Sequence, residues 1–473
     1  MSEPDAVLAT PFRQRAERAL HDDFLQQALT IATTKFIDLR RQAFREFPEG
    51  DALRDRARAI KEATLQRLDR YVDQLVDNVE RLGGHVHFAA SADEARDIVV
   101  EIGRRAGARM AVKSKSMATE EMHLNEALAA AGITPVETDL GEYIIQLAGE
   151  RPSHIIAPAI HKTKGQVAEL FERELGRAVP ADPEALTRVA RAELRDKFLQ
   201  ADMGITGANF AVADTGTIVL VTNEGNGRMV TSLPRLHVAV MGVEKVIPSM
   251  TDLMVFLAIL AKSATGQKLS SYTTLVRGPR RAGESEGPQE FHLVLLDNGR
   301  VRQIAGPLRE ALSCLRCGAC LNVCPVYRQI GGHAYGYTYP GPIGILLTAM
   351  LNGPAAVKDL AHASSLCGAC ADACPVRIDI PRMLVELRTE VDEQRIAPWS
   401  ERVVFKTFAA LLGRPALFRL AAPVSRVLQR PFADGRRIRR LPFFFGRWTA
   451  TRDLPAVAPR TFSERWIELE DGR

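Results

Sequence analysis

The stretch CLRCGACLNVCP, residues 314–325, holds four of the seven cysteines in the chain. Its spacing is CxxCxxCxxxCP, so three cysteines follow at every third position and a fourth precedes a proline. A second stretch, LCGACADACP at 366–375, holds the other three and also ends in Cys-Pro. No cysteine occurs in the first 313 residues or the last 99, which indicates local metal binding rather than a disulfide framework spread along the chain.

The first spacing is that of bacterial two-cluster ferredoxins, in which three closely spaced thiolates bind one cubane and the cysteine before proline binds the other cluster. A four-thiolate zinc site would instead show pairs of cysteines separated by roughly a dozen residues or more. The spacing therefore predicts two iron–sulfur clusters with crossed ligands. The first would take Cys314, Cys317, Cys320 and Cys374, and the second would take Cys324, Cys367 and Cys370.

The second site is one thiolate short. When the two stretches are aligned on their prolines, the position of the missing cysteine holds Ser364. Ser364 could supply an alkoxide ligand, water or another non-cysteine ligand could complete a cubane, or the site could hold a three-iron cluster. Sulfur is the better ligand for iron in such clusters, so serine ligation is the least favoured of the three. We expect one 4Fe-4S cluster, and a second that is either 4Fe-4S with a non-cysteine ligand or 3Fe-4S.

Upstream of the cysteines, the hydrophobic pattern changes near residue 84. Apolar residues three and four apart predict amphipathic helices over 24–44 and 64–82, within an N-terminal helical arm at 1–83. From 84 to 300, β-branched runs alternate with helical stretches, which predicts an α/β domain with a mixed, mostly parallel sheet. Strands are predicted at 85–89, 108–114, 153–159, 210–225, 235–248 and 291–297, and helices at 91–107, 119–132 and 182–199.

Two details complete this division of the chain. The runs TGTIVLV and LHVAVMG, joined by NEGNG at 223–227, could form an antiparallel hairpin within the sheet. After the α/β domain we expect a mainly α-helical ferredoxin-type domain with both clusters at 301–397, followed by a basic C-terminal tail at 398–473.

Charge and hydropathy restrict location and partners. The chain is 46% hydrophobic and 25% charged, as soluble globular proteins are, and neither a secretory signal nor a transmembrane segment is predicted. Its net charge is +5, and residues 402–460 alone hold thirteen Lys or Arg and two acids. We expect a cytoplasmic protein whose tail contacts an acidic partner or the inner face of the membrane. Nucleic acid is not expected as a partner, because no recognised binding module accompanies the charge.

Two other stretches could carry chemistry. In AVKSKSMATEE, 111–121, a strand leads into a helix whose first amides, with Lys113 and Lys115, could bind a phosphate or carboxylate; an ordinary capped helix with solvated lysines is the alternative. In TNEGNGR, 222–228, Glu224 could line a pocket at the sheet edge and is the weak candidate for a catalytic residue. The same Asn and Gly residues could equally serve a turn alone.

Several segments, in order, resemble the lactate utilization protein B family, the iron–sulfur subunit of the bacterial L-lactate oxidation system. They are AVKSKSMATEE, PSHIIAPAIHKTKGQVAELF, VTNEGNGRMVTSLPRLHVAVMGVEKVIPS, CLRCGACLNVCPVYRQIGGHAYGYTYPGPIGILL and LCGACADACPV. The resemblance implies an α/β domain similar to the sugar-isomerase and CoA-transferase group, in which Glu224 is similar to the CoA-transferase nucleophile. The family usually has cysteine where Ser364 stands, which puts the second four-iron cluster in question.

The resemblance also implies a function. The chain would be an electron-transfer component in the oxidation of L-lactate to pyruvate, supporting growth on lactate, rather than a stand-alone catalyst. Its partners would be the other subunits of the lactate-utilization system and an electron acceptor at the membrane surface. The alternative is an α/β enzyme that acts on a phosphorylated or CoA-linked substrate and carries structural or redox-sensing clusters.

Overall fold

The helical arm comes first in the computed structural model, which describes residues 10–396 and 399–471. Its described helices are α1 (Phe12–Leu20), α2 (Asp23–Arg45), α3 (Gly50–Gln66) and α4 (Leu68–Arg81). Asp22 caps α2 by accepting the Leu25 N–H at 2.9 Å, and α2 buries Leu29, Thr33 and Ile37 on one face. The predicted helix over 24–44 is therefore confirmed, and the one over 64–82 corresponds to α4.

The α/β region that follows contains two sheets. Its strands are β1 (His85–Ala89), β2 (Met110–Lys113), β3 (Thr134–Glu137), β4 (Met203–Thr206), β5 (Phe210–Val212), β6 (Thr217–Thr222), β7 (Leu236–Gly242), β8 (Val246–Ile247), β9 (Tyr272–Val276) and β10 (Glu290–Leu296). Its helices are α5 (Ala92–Arg105), α6 (Met117–Glu121), α7 (Leu124–Ala130), α8 (Leu140–Ala148), α9 (Lys164–Leu175), α10 (Pro183–Gln200), α11 (Asn226–Ser232) and α12 (Met250–Thr265).

The larger sheet has six strands in the order β1-β10-β7-β4-β2-β3, and every neighbouring pair is parallel. Its central strand β7 is buried at all seven positions, as expected of a strand covered on both faces. The smaller sheet has the order β8-β5-β6-β9 and is mixed, because β5 and β9 run antiparallel to β6 while β8 is parallel to β5. The predicted mixed, mostly parallel α/β fold is confirmed.

One strand prediction is wrong, and the hairpin considered as an alternative does not form. β6 and β7 do not form a hairpin, because β6 pairs with β5 and β9 while β7 joins the parallel sheet, and helix α11 lies between them. The segment 153–159 is not a strand. Its backbone turns around His154, whose Nδ1 accepts the N–H groups of Ile156 and Ala157 at 3.0 and 3.1 Å. Amides bonded to a local side chain cannot pair with a neighbouring strand.

The cysteine region is mainly helical, as predicted. Its helices are α13 (Arg300–Gln303), α14 (Ala319–Val323), α15 (Tyr327–Ile330), α16 (Gly341–Asn352), α17 (Ala369–Ala373) and α18 (Ile380–Glu393). One hydrophobic core joins this region to the arm and to the α/β region, and it includes Leu29, Ala57, Phe256, Leu321 and Leu346. The cysteines are therefore set into a core to which the first helices contribute.

The chain divides into two compact units, Met1–Val391 and Asp392–Arg473. The second contains α19 (Trp399–Leu412), α20 (Pro415–Leu428) and α21 (Phe462–Asp471), with the short antiparallel strands β11 (Ala433–Asp434), β12 (Arg437–Ile438) and β13 (Leu454–Pro455). Among the described residues, no helix is both long and apolar enough to cross a membrane. The four-part division at 83, 300 and 397 stays a prediction.

Candidate iron–sulfur site

The two cysteine runs repeat one backbone conformation. Arg316 and Leu366 each precede a cysteine and have positive φ angles of 61° and 55°. Two residues later, Gly318 and Gly368 have φ angles of 72° and 84°, and each precedes a short helix, α14 or α17. Side chains other than glycine adopt this left-handed conformation at a cost. Its occurrence at Arg316 and Leu366 indicates that the two loops share one architecture.

The cysteines lie close together in a crossed order. Burial raises the pKa of Cys317 to about 12, and the neighbouring thiols of Cys314 and Cys374 add to this rise. Burial also raises the pKa of Cys370 to about 12, and among the neighbouring thiols Cys324 contributes most to this rise. Cys374 of the second run thus lies beside the first run, and Cys324 of the first run lies beside the second. Crossed ligation requires this neighbourhood.

Backbone amides point at the sulfur atoms. The N–H of Arg316 donates to Cys314 Sγ, and the N–H of Ile378 donates to Cys374 Sγ, both at 3.4 Å. Hydrogen bonds to sulfur stabilise the thiolate form that metals bind and tune the potential of bound clusters. A group of buried sulfurs with amide donors around them is chemically suited to a cubane.

Cations surround the loops of the first cysteine group. The Arg54 guanidinium of α3 donates to the Cys374 carbonyl at 2.8 and 3.2 Å, and Arg40 of α2 donates to the Ala373 carbonyl at 3.0 Å. Lys245, after β7, donates to the Cys314 carbonyl at 3.1 Å. Positive charge here would offset the negative charge of a cluster held by four thiolates. These residues lie far from the cysteines in sequence, and no pattern in the chain pointed to them.

The second group lies nearer the surface. Cys367 is exposed, and the Ala369 amide, assisted by the Ser365 hydroxyl, lowers its pKa below the usual thiol range. Ser364 lies three positions earlier, where its hydroxyl oxygen accepts the Leu366 N–H at 3.2 Å. The Ser364 carbonyl accepts from Arg388 at 3.1 Å. The role of Ser364 at the fourth position of the second site stays a prediction.

A cavity of about 1050 Å³ adjoins the first cysteine loop. Glu224 lines this cavity, and its carboxylate accepts the Leu140 N–H at 3.1 Å. Burial, with a smaller contribution from Asp139, raises the pKa of Glu224 to about 7. Glu224 therefore lies in a pocket rather than in a simple turn, which is the position a proton-transferring carboxyl group would need.

The lysines of 111–121 have separate environments. Lys113 is fully buried and its ammonium lies 2.5 Å from the Glu137 carboxylate, so it is neither solvated nor available to a ligand. Lys115 lines the cavity. Helix α6 spans five residues, and Ser116 caps it by accepting the Thr119 N–H at 3.3 Å. The predicted helix-start site thus reduces to Lys115 alone.

Comparison with known proteins agrees with this architecture. The LUD domain family matches residues 72–296, the 4Fe-4S dicluster domain family matches 310–378, and the lactate utilisation protein B C-terminal family matches 388–470. The dicluster match supports iron–sulfur clusters at the two cysteine runs.

Curated relatives extend the match to nearly the whole chain. Lactate utilization protein B of Shouchella clausii is 45% identical over 97% of this chain and 96% of its own length. Those of Exiguobacterium sp. and Bacillus licheniformis are 47% and 43% identical over 97% of this chain, and over 97% and 96% of their own lengths. The chain therefore belongs to the lactate utilization protein B family.

Proposed function

We propose that this chain is an iron–sulfur electron-transfer subunit that supports the oxidation of L-lactate to pyruvate and growth on lactate. Its relatives' name supports a role in lactate utilisation. The crossed neighbourhood of the seven cysteines is the observation that carries the electron-transfer role. When bound, the clusters would accept and release single electrons. The protein would hold the clusters, surround them with amides and cations, and determine how far they are exposed to solvent.

The proposed ligands follow the crossed order. Cys314, Cys317, Cys320 and Cys374 would hold a 4Fe-4S cluster, and Cys324, Cys367 and Cys370 would hold the second. Ser364 is the candidate for the fourth position of the second site, which would be 4Fe-4S with a non-cysteine ligand or 3Fe-4S.

Exposure of Cys367 suggests how electrons reach other proteins. A cluster bound at this residue would lie near the protein surface, where electrons could pass to another subunit of the lactate-utilization system. The second unit is basic and exposes apolar side chains on α19, including Val403, Phe405 and Phe408. This combination supports docking to a partner subunit or to the inner, anionic face of the membrane, in a cytoplasmic protein.

Electron paramagnetic resonance of anaerobically purified protein, with iron counted on the same sample, tests the proposal. Two interacting reduced cubanes and about eight irons would support a second 4Fe-4S cluster with a non-cysteine ligand. A signal in the oxidised sample with about seven irons would support a 3Fe-4S cluster. The absence of any iron–sulfur signal from anaerobic protein would refute the proposal.

The variant Ser364→Cys tests the second site directly. It supplies the missing thiolate, so the iron content should reach about eight per chain whichever form the native site takes. The neighbouring variant Ala363→Cys is the control, because its thiol lies one position away from the aligned cysteine and the alanine side chain has no hydrogen bond to lose. Equal spectra for the two variants would show that position 364 does not face the iron.

A second candidate function rests on the position of Glu224 in the cavity. It is an α/β enzyme acting on a phosphorylated or CoA-linked substrate, with structural or redox-sensing clusters. Growth of a Glu224→Gln strain on lactate separates the two functions. The strain should grow normally if the chain only transfers electrons, and it should not grow if Glu224 is catalytic.

A further inference from the structure

We infer that the cavity beside the first cysteine loop is the binding site of an organic anion of cofactor size. The inference deepens the proposed electron-transfer function, because a ligand in this cavity would be the small-molecule partner of the first cluster. Binding itself can be measured whether or not the cluster transfers electrons.

The cavity lies at the carboxyl ends of four adjacent parallel strands. Ser114 follows β2, Asp139 lies just beyond β3, Gly207 follows β4, and Gly242 ends β7, and all four residues line it. Open parallel sheets bind ligands at this edge, where the strand order reverses. The reversal occurs here between β2 and β4, because the chain runs outward from β2 to β3 and then returns to β4.

A glycine at the reversal allows the two loops to approach each other. A Cβ atom on Gly207 would lie 2.7 Å from the Ser116 hydroxyl and 3.0 Å from its Cβ. The loop after β4 can therefore approach the loop after β2 only without a side chain at position 207. Lys115, the residue before Ser116, belongs to the lining of the cavity.

One wall of the cavity belongs to the cysteine region. Leu315, Arg316 and Cys317 line it, and Ile31 and Phe36 of α2 belong to its lining as well. Of the described residues in that lining, Cys317 is the only cysteine. The cavity is therefore next to the proposed site of the first cluster but is a separate space. A molecule bound here would contact the loop that holds the cluster.

Among the described residues of the lining, five buried polar atoms make no hydrogen bond. Two of them, Nε of Arg300 and Oε2 of Glu244, form an ion pair with each other at 2.8 Å, which leaves three. Asn226 is 5% exposed, and its Oδ1 is buried without a donor. Nη1 of Arg316 is also buried without an acceptor, while Nη2 of the same side chain lies 3.4 Å from the Glu244 carboxylate. The Lys115 ammonium makes no hydrogen bond and has only an ion pair with Glu142 at 3.5 Å. Buried groups of this kind are normally satisfied, so they point to a ligand that provides an acidic group and a hydrogen-bond donor.

The charge of the lining and the volume of the cavity further restrict the class of ligand. Six basic residues line the cavity against three acids, namely Lys115, Lys162, Lys164, Lys245, Arg300 and Arg316 against Asp139, Glu224 and Glu244. This excess favours an anion. The volume of about 1050 Å³ lies at the upper end of the usual range for ligand pockets. A carboxylate or phosphate ester with a body of cofactor size fits better than a three-carbon acid alone.

Isothermal titration of the full-length, iron-loaded protein under anaerobic conditions tests the inference. The probes are coenzyme A for an organic anion of cofactor size, pyruvate for a three-carbon acid, and inorganic phosphate for the acidic group alone. We expect saturable binding of coenzyme A that is tighter than the binding of pyruvate or phosphate. Bound probe should also change the resonance spectrum of the reduced first cluster.

Two variants place the binding in this cavity. Lys115→Met and Asn226→Ala should each weaken binding about tenfold at unchanged iron content, because each removes a buried polar partner. Lys197→Met, on the exposed side of α10, is the matched control and should bind as the native chain does. No binding of coenzyme A, equal or tighter binding of pyruvate or phosphate, or binding that neither variant weakens would overturn the inference. Iron counts and reduced spectra without probe report separately on the electron-transfer proposal.

Discussion

Arg54 is a single side chain that links the N-terminal helices to the last cysteine. It is 6% exposed, and its guanidinium holds the carbonyl of Cys374 with two nitrogens. It also forms an ion pair with Asp51 at 2.8 Å. A charged donor to a buried carbonyl contributes roughly 1.5–3 kcal/mol. Without Arg54 the Cys374 carbonyl would keep only the N–H of Arg377, at 3.2 Å.

Arg54→Met is therefore expected to lower both iron content and stability. The methionine keeps much of the apolar packing but cannot donate to the Cys374 carbonyl, so the loop carrying this cysteine loses two of the hydrogen bonds that hold it. Iron per chain and the urea midpoint measure the effect. Arg56→Met is the control, since Arg56 lies exposed on the same helix. Equal iron content in both variants would contradict this role of Arg54.

Glu224 should make stability depend on pH. Its raised pKa of about 7 means that the folded chain still binds a proton that the unfolded chain has released. Stability from this group is therefore present at low pH and is lost as pH rises through about 7. Between about pH 5.5 and about pH 8, the urea midpoint of the native chain should fall more than the urea midpoint of Glu224→Gln. Identical falls in the two proteins would contradict the shift.

At the scale of elements, the repeated loops allow a matched comparison of two glycines. Gly318 and Gly368 both have positive φ, so alanine costs about 1 kcal/mol or more at either position. An added Cβ at Gly318 would also lie 2.9 Å from the His154 ring, whereas at Gly368 it would meet nothing within 4 Å.

Gly318→Ala should therefore be more damaging than Gly368→Ala. We expect a lower melting temperature and less iron in the first variant, because it combines backbone strain with a collision. The second variant reports the backbone cost alone. Equal losses in both would mean that the contact with His154 relaxes freely, contrary to this expectation.

The sequence could predict those elements whose signal is local. The 3.6-residue period of α2 and the β-branched runs of β1, β2 and β10 identify these elements correctly. The partner of β6 could not be predicted, because strand pairing depends on which faces the rest of the fold covers. The strand prediction for 153–159 was wrong for a related reason. The side chain of His154 accepts hydrogen bonds from backbone amides that a strand would need for pairing.

The candidate site was predictable only in part for the same reason. The cysteine spacing is local and specific, so both cysteine runs could be recognised in the sequence. The cations Arg40, Arg54 and Lys245 come from distant segments, and only the tertiary fold brings them to the cysteine loops. The same holds for the cavity, whose walls come from the arm, the sheet and the cysteine region.

At the scale of the whole molecule, the arm, the sheet and the cysteine region share one hydrophobic core. A chain ending at Ile396 should therefore retain its iron, because it keeps this core. Residues 301–397 expressed alone should not retain iron, because they lack the buried contacts of α2, α3 and the sheet. Iron analysis and resonance spectra of the two fragments are the measurement. Stable clusters in the isolated segment would show that its own helices suffice.

Cys374 is the last cysteine of the chain, and it lies beside the first cysteine run. During synthesis on the ribosome, the first run emerges long before its neighbour does. A nascent chain therefore carries an incomplete set of thiols until nearly four fifths of the protein has been made. With Cys374 as the proposed fourth ligand, the first centre could be completed only after translation has passed this point, and a chain truncated just before Cys374 would lack one of the four thiolates of that centre.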